Sequence, residues 1–594
     1  EENITEDFRN ANMSHVLAIS GQHMSYLILI TTVLLKRILG KRNSYITCIF
    51  VLIIYTFITG FSPSIVRATI MGIIFIISKL IYKYNDILTN ISISSLIILI
   101  YNPYNILDLG FQLSFGGTIG IVLFQKYISK IFNKIKEYFI SKQKFKNIKA
   151  KKIKILEKFL EKVFEITSVT ISAQIIILPI SIFHFNTFNI YSILTNLLIG
   201  FVVETIMACS FIFLILICIN INLAQFFSII IIIAIKILIL ISKIGKFPYS
   251  KIYVSTPKIW QIIFYFLIIF FLISIFNIYT TKSKNSTNIR VKNLISLLKF
   301  QIKYRVKPKS KKNIKIACIL IIIILGAIKI SPKQLQVHFV DVGQGDCTFI
   351  ETPFKKTILI DGGGTETYDI GKNTLLPYIL DRGYTKIDTV LISHFDTDHV
   401  KGILTILENL RIGQVIISKQ EEISQNYKDF VKIVKDKNIK VKTVEKGDKI
   451  KIEKDIYIDI LFPEKEIIQE NILNNNAIVA KLSYKKFRIM FTGDIEEVAE
   501  KRLLEIYNKS NILQSNILKV AHHGSKTSST KNILGKIRPQ ICLIGVGKDN
   551  KFGHPNNEVI KRLEELKVDI YRTDRDGEIS IITNGKSFNI KKLK

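Results

Sequence analysis

Paired cysteines are missing from this sequence. Its six cysteines stand singly, Cys48, Cys209, Cys218 and Cys318 in apolar stretches and Cys347 and Cys542 in predicted strands. Without a C-x-x-C pair or a disulfide framework they read as small buried hydrophobes. Acidic residues are in deficit, 47 against 82 Lys and Arg, and the resulting charge of +35 points to nucleic acid or an anionic lipid surface as partners. The first residues lack the basic, apolar and small-residue order of a signal peptide. The chain opens on Glu1, not Met, and is expected to be a fragment or processed form. Histidine is the most telling scarcity: of nine in the chain, five (His394, His399, His522, His523 and His554) sit at short polar motifs near the C-terminus.

What the chain has in quantity is apolar sequence, and it is unevenly spread. Length alone suggests roughly three to four domain equivalents. Composition changes near residue 333, however, which favours two regions: a polytopic helical membrane domain over 1–332 and a soluble α/β domain over 333–594. Apolar runs at 16–36, 44–60, 65–82, 88–101, 107–124, 164–181, 189–219, 225–246, 258–280 and 314–330 predict about eight to ten membrane spans. The run 189–219 also suits a broken or re-entrant helix. Two basic connections, 126–162 and 282–315, are assigned to the cytoplasm by the positive-inside rule, and the second contains no Asp or Glu. A crossing at 314–330 would then carry 333–594 outside the cell. Ionisable or polar side chains within spans are costly, so His15, His23, His184, Arg67, Asp108, Gln112 and Glu204 are pathway candidates, with helix–helix hydrogen bonding as the plainer account.

After residue 333, strands and helices alternate. Predicted strands cover Gln336–Val342, Cys347–Glu351, Thr357–Ile360 and Thr389–Ser393, with a helix near Asn373–Arg382, an order that suits an αββα or α/β layered domain. The strand ending at Ser393 delivers His394-Phe-Asp396-Thr-Asp398-His399, four ligand-type side chains in six residues. Strand alternation would place His394, Asp396 and Asp398 on one side, with His399 brought round by the turn into a helix. Two further strand ends supply Asp494, after Phe491-Thr-Gly493, and His522-His523, after Leu518-Lys-Val-Ala. Three strand ends converging on one centre are what two-metal hydrolysis requires.

Together with Asp361-Gly-Gly-Gly364 and Thr492-Gly-Asp494, these blocks resemble the metallo-β-lactamase-fold superfamily. Val340-Asp-Val-Gly-Gln-Gly-Asp346, Ala521-His-His-Gly-Ser-Lys-Thr-Ser-Ser529 and Gly553-His554-Pro555 are similar, more narrowly, to the hydrolase-like domain of the ComEC family. In the apolar half, His15-Val-Leu-Ala-Ile-Ser-Gly-Gln-His23, Gly60-Phe-Ser-Pro-Ser-Ile-Val-Arg67 and Asp108-Leu-Gly-Phe-Gln112-Leu-Ser114 resemble that family's competence motifs. The resemblance implies a multi-pass protein of the cytoplasmic membrane that carries single-stranded DNA inward in natural transformation. Its external domain would hydrolyse the strand left outside, using two divalent ions. Other competence proteins, membrane lipid and further copies of the chain are the partners it implies. The family's oligonucleotide-binding-fold domain, which precedes this region, is expected to be missing from a chain that opens on Glu1.

The chain departs from the wider superfamily in carrying Asp396 where many members have a third histidine, and in having no histidine between 399 and 522. One metal position then offers His394, Asp396, Asp494 and an asparagine or water near Asn474–Asn476. The other offers Asp398, His399, Asp494 and either His523 or His522. So oxygen-rich a set suits manganese or magnesium as well as zinc. Asp398, Asp494 and His523 are the expected catalytic core. His554 suits either a leaving-oxygen contact or a loop brace. Asp361 is expected to orient a ligand. Ser525, Lys526 and Thr527 suit phosphate contacts, with helix capping as the alternative for the hydroxyls. The same channel with a silent DNA-guiding domain, and a membrane-anchored hydrolase of another exported phosphodiester, are the rival readings.

Overall fold

The computed structural model describes residues 2–17, 21–84, 86–141, 150–247, 250–281, 334–419 and 424–593. The expected crossing at 314–330, the basic connection 282–315 and part of 126–162 lie outside them. Two compact units emerge, Glu1–Tyr279 and Thr280–Lys594.

The first unit is helical. Four of its helices, His23–Ile58, Glu157–Phe185, Ser192–Leu216 and Ile221–Lys246, are long and apolar enough to cross a membrane by length and composition, and Ile87–Tyr101 and Ile259–Ile273 are shorter apolar helices. The first of the four is two helices joined at Gly40, whose φ of 75° and ψ of 171° leave the helical region, so the runs expected at 16–36 and 44–60 are separate, and Ile28 and Leu52 both pack at Gly72. A glycine adopts that conformation without steric cost. The run 189–219 forms no broken helix but an unbroken one, Ser192–Leu216, preceded by β1 (Thr187–Asn189), which pairs antiparallel with β2 (Lys251–Tyr253). Helix starts follow local chemistry: Pro63 opens Pro63–Leu80, and the Asp86 carboxylate accepts from the Thr89 amide at 2.8 Å to cap Ile87–Tyr101. Gly120 lets helix Leu109–Ser141 approach helix Ala150–Phe185, because a β-carbon there would lie 2.5 Å from the Ser172 carbonyl oxygen. Large apolar side chains such as Phe270, Trp260 and Ile263 face outward, as a lipid-contacting surface requires.

The second unit stacks two sheets. The first has order β17-β16-β3-β4-β5-β6-β7-β8 and comprises β3 (Leu335–Phe339), β4 (Thr348–Glu351), β5 (Thr357–Ile360), β6 (Lys386–Leu391), β7 (Arg411–Ser418), β8 (Val441–Val444), β16 (Glu578–Thr583) and β17 (Phe588–Leu593). The second, in order β15-β14-β13-β12-β11-β10-β9, comprises β9 (Lys449–Glu453), β10 (Ile456–Phe462), β11 (Val479–Tyr484), β12 (Phe487–Phe491), β13 (Ile517–Lys519), β14 (Ile541–Ile544) and β15 (Asp569–Arg572). Alternating apolar residues of both sheets share one core, where Phe339 and Phe491 stack at 6.1 Å. Helices Glu497–Ile506, Lys531–Ile537 and Asn557–Glu565 cover the far side of the second sheet through Leu503, Leu534 and Leu563. Parallel neighbours β6, β7 and β8 are joined by helices Thr397–Asn409 and Gln425–Lys437, which such crossovers place on one face. The layering is αββα.

Candidate metal centre

Polar loops at one end of the parallel strands meet at the edge between the two sheets. The strand before the histidine block ends at Leu391, earlier than the Ser393 expected, so His394-Phe-Asp396 is loop and Asp396 is the N-cap of helix Thr397–Asn409. Strand alternation therefore does not place these side chains. A turn and the first helical turn do.

Backbone hydrogen bonds bolt three loops together. The Asp346 amide donates to the Asp398 carbonyl at 3.2 Å, Gly362 to His399 at 2.7 Å, and Gly402 to Gly363 at 2.9 Å. Asp361, at φ 55°, accepts from the Ser393 amide at 2.8 Å and the Ser393 hydroxyl at 2.7 Å, and lies 3.0 Å from His399 Nδ1. That contact turns His399 Nε2 inward. His523 is held the same way, its Nδ1 2.7 Å from the Gly545 carbonyl. The inward nitrogens lie 3.3 Å apart. Around them stand Asp494, 3.2 Å from His399 Nε2 and 3.3 Å from His523 Nε2, and Asp398, 3.2 Å from His523 Nε2.

Two imidazole nitrogens at that distance can share one proton or a cation, and both carboxylates only accept. Burial alone would lower the pKa of His399 and His523, but Asp494, with Asp361 beside His399 and Asp346 beside His523, drives both well above their ordinary value. Burial alone would raise Asp494, yet the two histidines and Lys519 hold it well below the usual carboxylate range. The pocket thus demands positive charge, and its N,N,O,O donor set fits a divalent cation. A second demand lies alongside. His394 Nε2 is buried and makes no hydrogen bond among the described residues, with Asp396 Oδ2 3.4 Å away.

His522 differs from its neighbour. It is half-buried, 3.9 Å from Asp494 and 3.4 Å from Glu496, and its ring lies 5.8 Å from that of His554. Both adjacent histidines sit at positive φ, 49° and 53°, a conformation costing of order 1–3 kcal/mol each and typical of functional turns. Ser525 and Thr527 hydroxyls bond each other at 3.0 Å, and Thr527 donates to Glu496 at 3.2 Å, so neither caps a helix. Lys526 is exposed. Of the asparagines near the expected first position, Asn475 accepts from the Glu496 amide, and the Asn476 amide group donates to the Ile468 and Ile472 carbonyls. Only Asn474 Oδ1 is buried without a partner among the described residues.

Sequence reasoning missed two residues. Lys519, 3% exposed, ion-pairs with Asp346, lies 3.4 Å from Asp494 and donates to the Gly493 carbonyl at 2.8 Å. Asp346 approaches His523 and His399 on their Nδ1 sides, at 3.5 and 3.9 Å, and with His399, Asp494 and His523 makes a compact ligand-type group. The signals were available: a lysine in the otherwise apolar Ile517-Leu518-Lys519-Val520, and an aspartate closing the Gly-Gln-Gly turn.

The polar residues of the helical unit are mostly paired, some within a turn and some between helices. Asp108 accepts from the Phe111 amide at 2.7 Å, and Gln112 lies 3.0 Å from His184 Nε2. Glu204 pairs with Lys162 at 2.9 Å. His15 is exposed. Arg67 is buried, bonds Thr118 and stands 5.6 Å from the Phe115 ring centre, with its Nε unbonded among the described residues.

Residues 1–277 match the competence protein family, and residues 340–542 match the metallo-beta-lactamase superfamily. ComE operon protein 3 of Bacillus subtilis is 24% identical, across 98% of this chain and 69% of its own length. Both halves of the chain are thus similar to the ComEC family. Recombination protein 2 of Haemophilus influenzae is 26% identical over 52% of this chain, and competence protein ComA of Neisseria gonorrhoeae 24% over 40%. The matched segments are 37% and 31% of those two relatives, so the chain spans only about a third of each. That likeness accounts for both halves at once, apolar helices in one unit and a hydrolase-type fold with a metal-ligand cluster in the other.

Proposed function

We propose that this chain is a DNA-uptake protein of the cytoplasmic membrane that passes one DNA strand inward. Its 334–593 unit lies outside and cleaves phosphodiester bonds of the strand left behind. The observation that carries the reading is the convergence of His399, His523, Asp398 and Asp494 within 3.2–3.3 Å contacts. Those four residues would hold one divalent cation, and His394 and Asp396 would contribute to a second. Bound ions of this kind supply Lewis-acid activation and offset charge building on a phosphoryl group. Asp361 and Gly545 keep the imidazoles aimed inward, so that little reorganisation is needed when the ions bind. His522 and His554 would contact phosphate or leaving oxygen, and Lys526, exposed four residues after His522, would add positive charge. The external position rests on the basic connections 126–162 and 282–315 being cytoplasmic.

Asp398→Ala and His523→Ala are each expected to abolish manganese- or zinc-dependent cleavage of single-stranded DNA and to lower the bound-metal stoichiometry. Full cleavage by both variants would overturn the site assignment. Wild-type protein that binds DNA and never cleaves it, with any of magnesium, manganese or zinc, would favour a guiding domain instead. Labelled-DNA uptake by cells with and without the gene separates both from a hydrolase without transport.

A further inference from the structure

One motif is not used up by the metal centre: the loop that leads to His554. Lys548, Asp549, Lys551, Phe552 and Gly553 are all exposed. Phe552 is 67% exposed, more than any other described aromatic residue of the 334–593 unit. A lone surface phenylalanine is ordinary. Three observations set this one apart.

The loop is held rigidly. Asn550 Nδ2 donates to the Gly547 carbonyl at 3.0 Å and the His554 carbonyl at 2.7 Å, while Asn550 Oδ1 accepts from the His554 amide at 3.0 Å. Gly547 itself donates to the Gln344 side chain at 3.3 Å, so the clamp is tied to the glycine-rich turn that carries Asp346. Phe552 is also oriented. Its ring lies nearly parallel to that of His554, at 15° and 6.0 Å. Finally, the stack leads to the chemistry: His554 is 5.8 Å from His522, which lies 3.9 Å from Asp494. An aromatic platform, with one face on His554 and the remainder open, therefore stands two rings from the candidate metal ligands.

The geometry points to Phe552 as a nucleobase-stacking subsite for single-stranded nucleic acid, with Lys548 and Lys551 beside it for the backbone phosphates. This rests on reading the unit as acting on DNA, and it names the form of DNA taken. Every base offers a π-face, so such a platform is tolerant of sequence. It also discriminates by strandedness, because bases inside a duplex are already stacked on one another and cannot lie on a protein ring. A base held on Phe552 fixes its strand beside the His554–His522 edge, which sets the register of the neighbouring phosphates against the metal centre.

The test is equilibrium binding to the full chain in detergent, with chelator present so that no strand is cut. The probes are a fluorescent single strand, an abasic strand of equal length, and a duplex. Phe552→Ala is expected to weaken binding of the single strand by about 5- to 100-fold. Affinity for the abasic strand and for the duplex should stay unchanged, and Phe552→Trp should restore the single-strand affinity. Equal weakening for all three probes would overturn the proposal, since it would mark the loop as a structural or purely electrostatic element. So would no effect on any probe, which would leave Phe552 to a protein or lipid contact. Because no cleavage is read, base-dependent binding by a protein that never cuts DNA would sustain the subsite and sink the hydrolase. Cleavage by wild type with Phe552→Ala binding normally would do the reverse.

Discussion

Lys519 provides the sharpest test of how the centre is built. Its ammonium is enclosed at the end of β13, paired with Asp346, 3.4 Å from Asp494 and bonded to the Gly493 carbonyl. Lys519→Met keeps the length and apolar stem of the side chain, so little cavity forms and the change isolates the charge. Two buried carboxylates then lose their fixed cation. Removing one partner of a buried ion pair costs about 3–5 kcal/mol, most of it the penalty of the charge left behind. The second variant, Lys519→Met with Asp346→Asn, removes that stranded charge and is expected to recover about 0.5–3 kcal/mol of the loss. Divalent cation supplied to the single variant should recover part of it too, because Asp494 regains a positive neighbour. Urea unfolding of 334–594 followed by far-UV circular dichroism, in chelator and in manganese, measures all three. A single-variant loss below about 1 kcal/mol in chelator, or strict additivity of the two substitutions, would refute the reasoning.

Gly345 stands at φ 119°, and a β-carbon there would run into the Asp398 carbonyl oxygen; Gly345→Ala is expected to displace the Asp398 loop and lower metal affinity by at least about tenfold, read by isothermal titration. A second buried network joins Glu351 and Glu578 to Arg382, at 3.1 and 2.8 Å, and to His338. Burial alone would raise both carboxyls, but His338 and Arg382, with Tyr384 on Glu351 and Ser580 on Glu578, hold them at about 2 against an ordinary 4.5. Their contribution to stability is therefore fully present above pH 4.5 and is lost as pH falls through about 2. Arg382→Gln should flatten that acid limb of the urea midpoint against pH, and an unchanged limb would show that the network does not set it.

Local patterns made much of the αββα unit legible. The apolar strand Thr357–Ile360 ending at Asp361-Gly-Gly is seen as expected, because a short apolar run with a glycine stop has few other conformations available. The His394–His399 block was legible as ligand-type chemistry but not as geometry: its strand stops at Leu391, and a turn plus a helix N-terminus aims the side chains. At Gly40 the two apolar runs separate as expected: the non-helical backbone there lets Met24 pack in one cluster with Cys48 and Leu52, which an unbroken helix would hold roughly 36 Å or more away.

Composition and motif alone determined that this protein pairs an apolar helical region with a polar, histidine-bearing one, and singled out His394, Asp396, Asp398, His399, Asp494 and His523 as candidate ligands. Periodicity and ligand type are properties of neighbouring residues, so they survive in a linear reading. Which imidazole faces inward, the burial of Lys519 against Asp346, and the ladder from Phe552 through His554 to His522 were decided only by tertiary structure. Each depends on residues brought together from separate loops, Asp346 and Lys519 from more than a hundred positions apart, His522 and His554 from 32, or on a hydrogen bond such as His399 to Asp361 that turns a ring, and no local pattern encodes either.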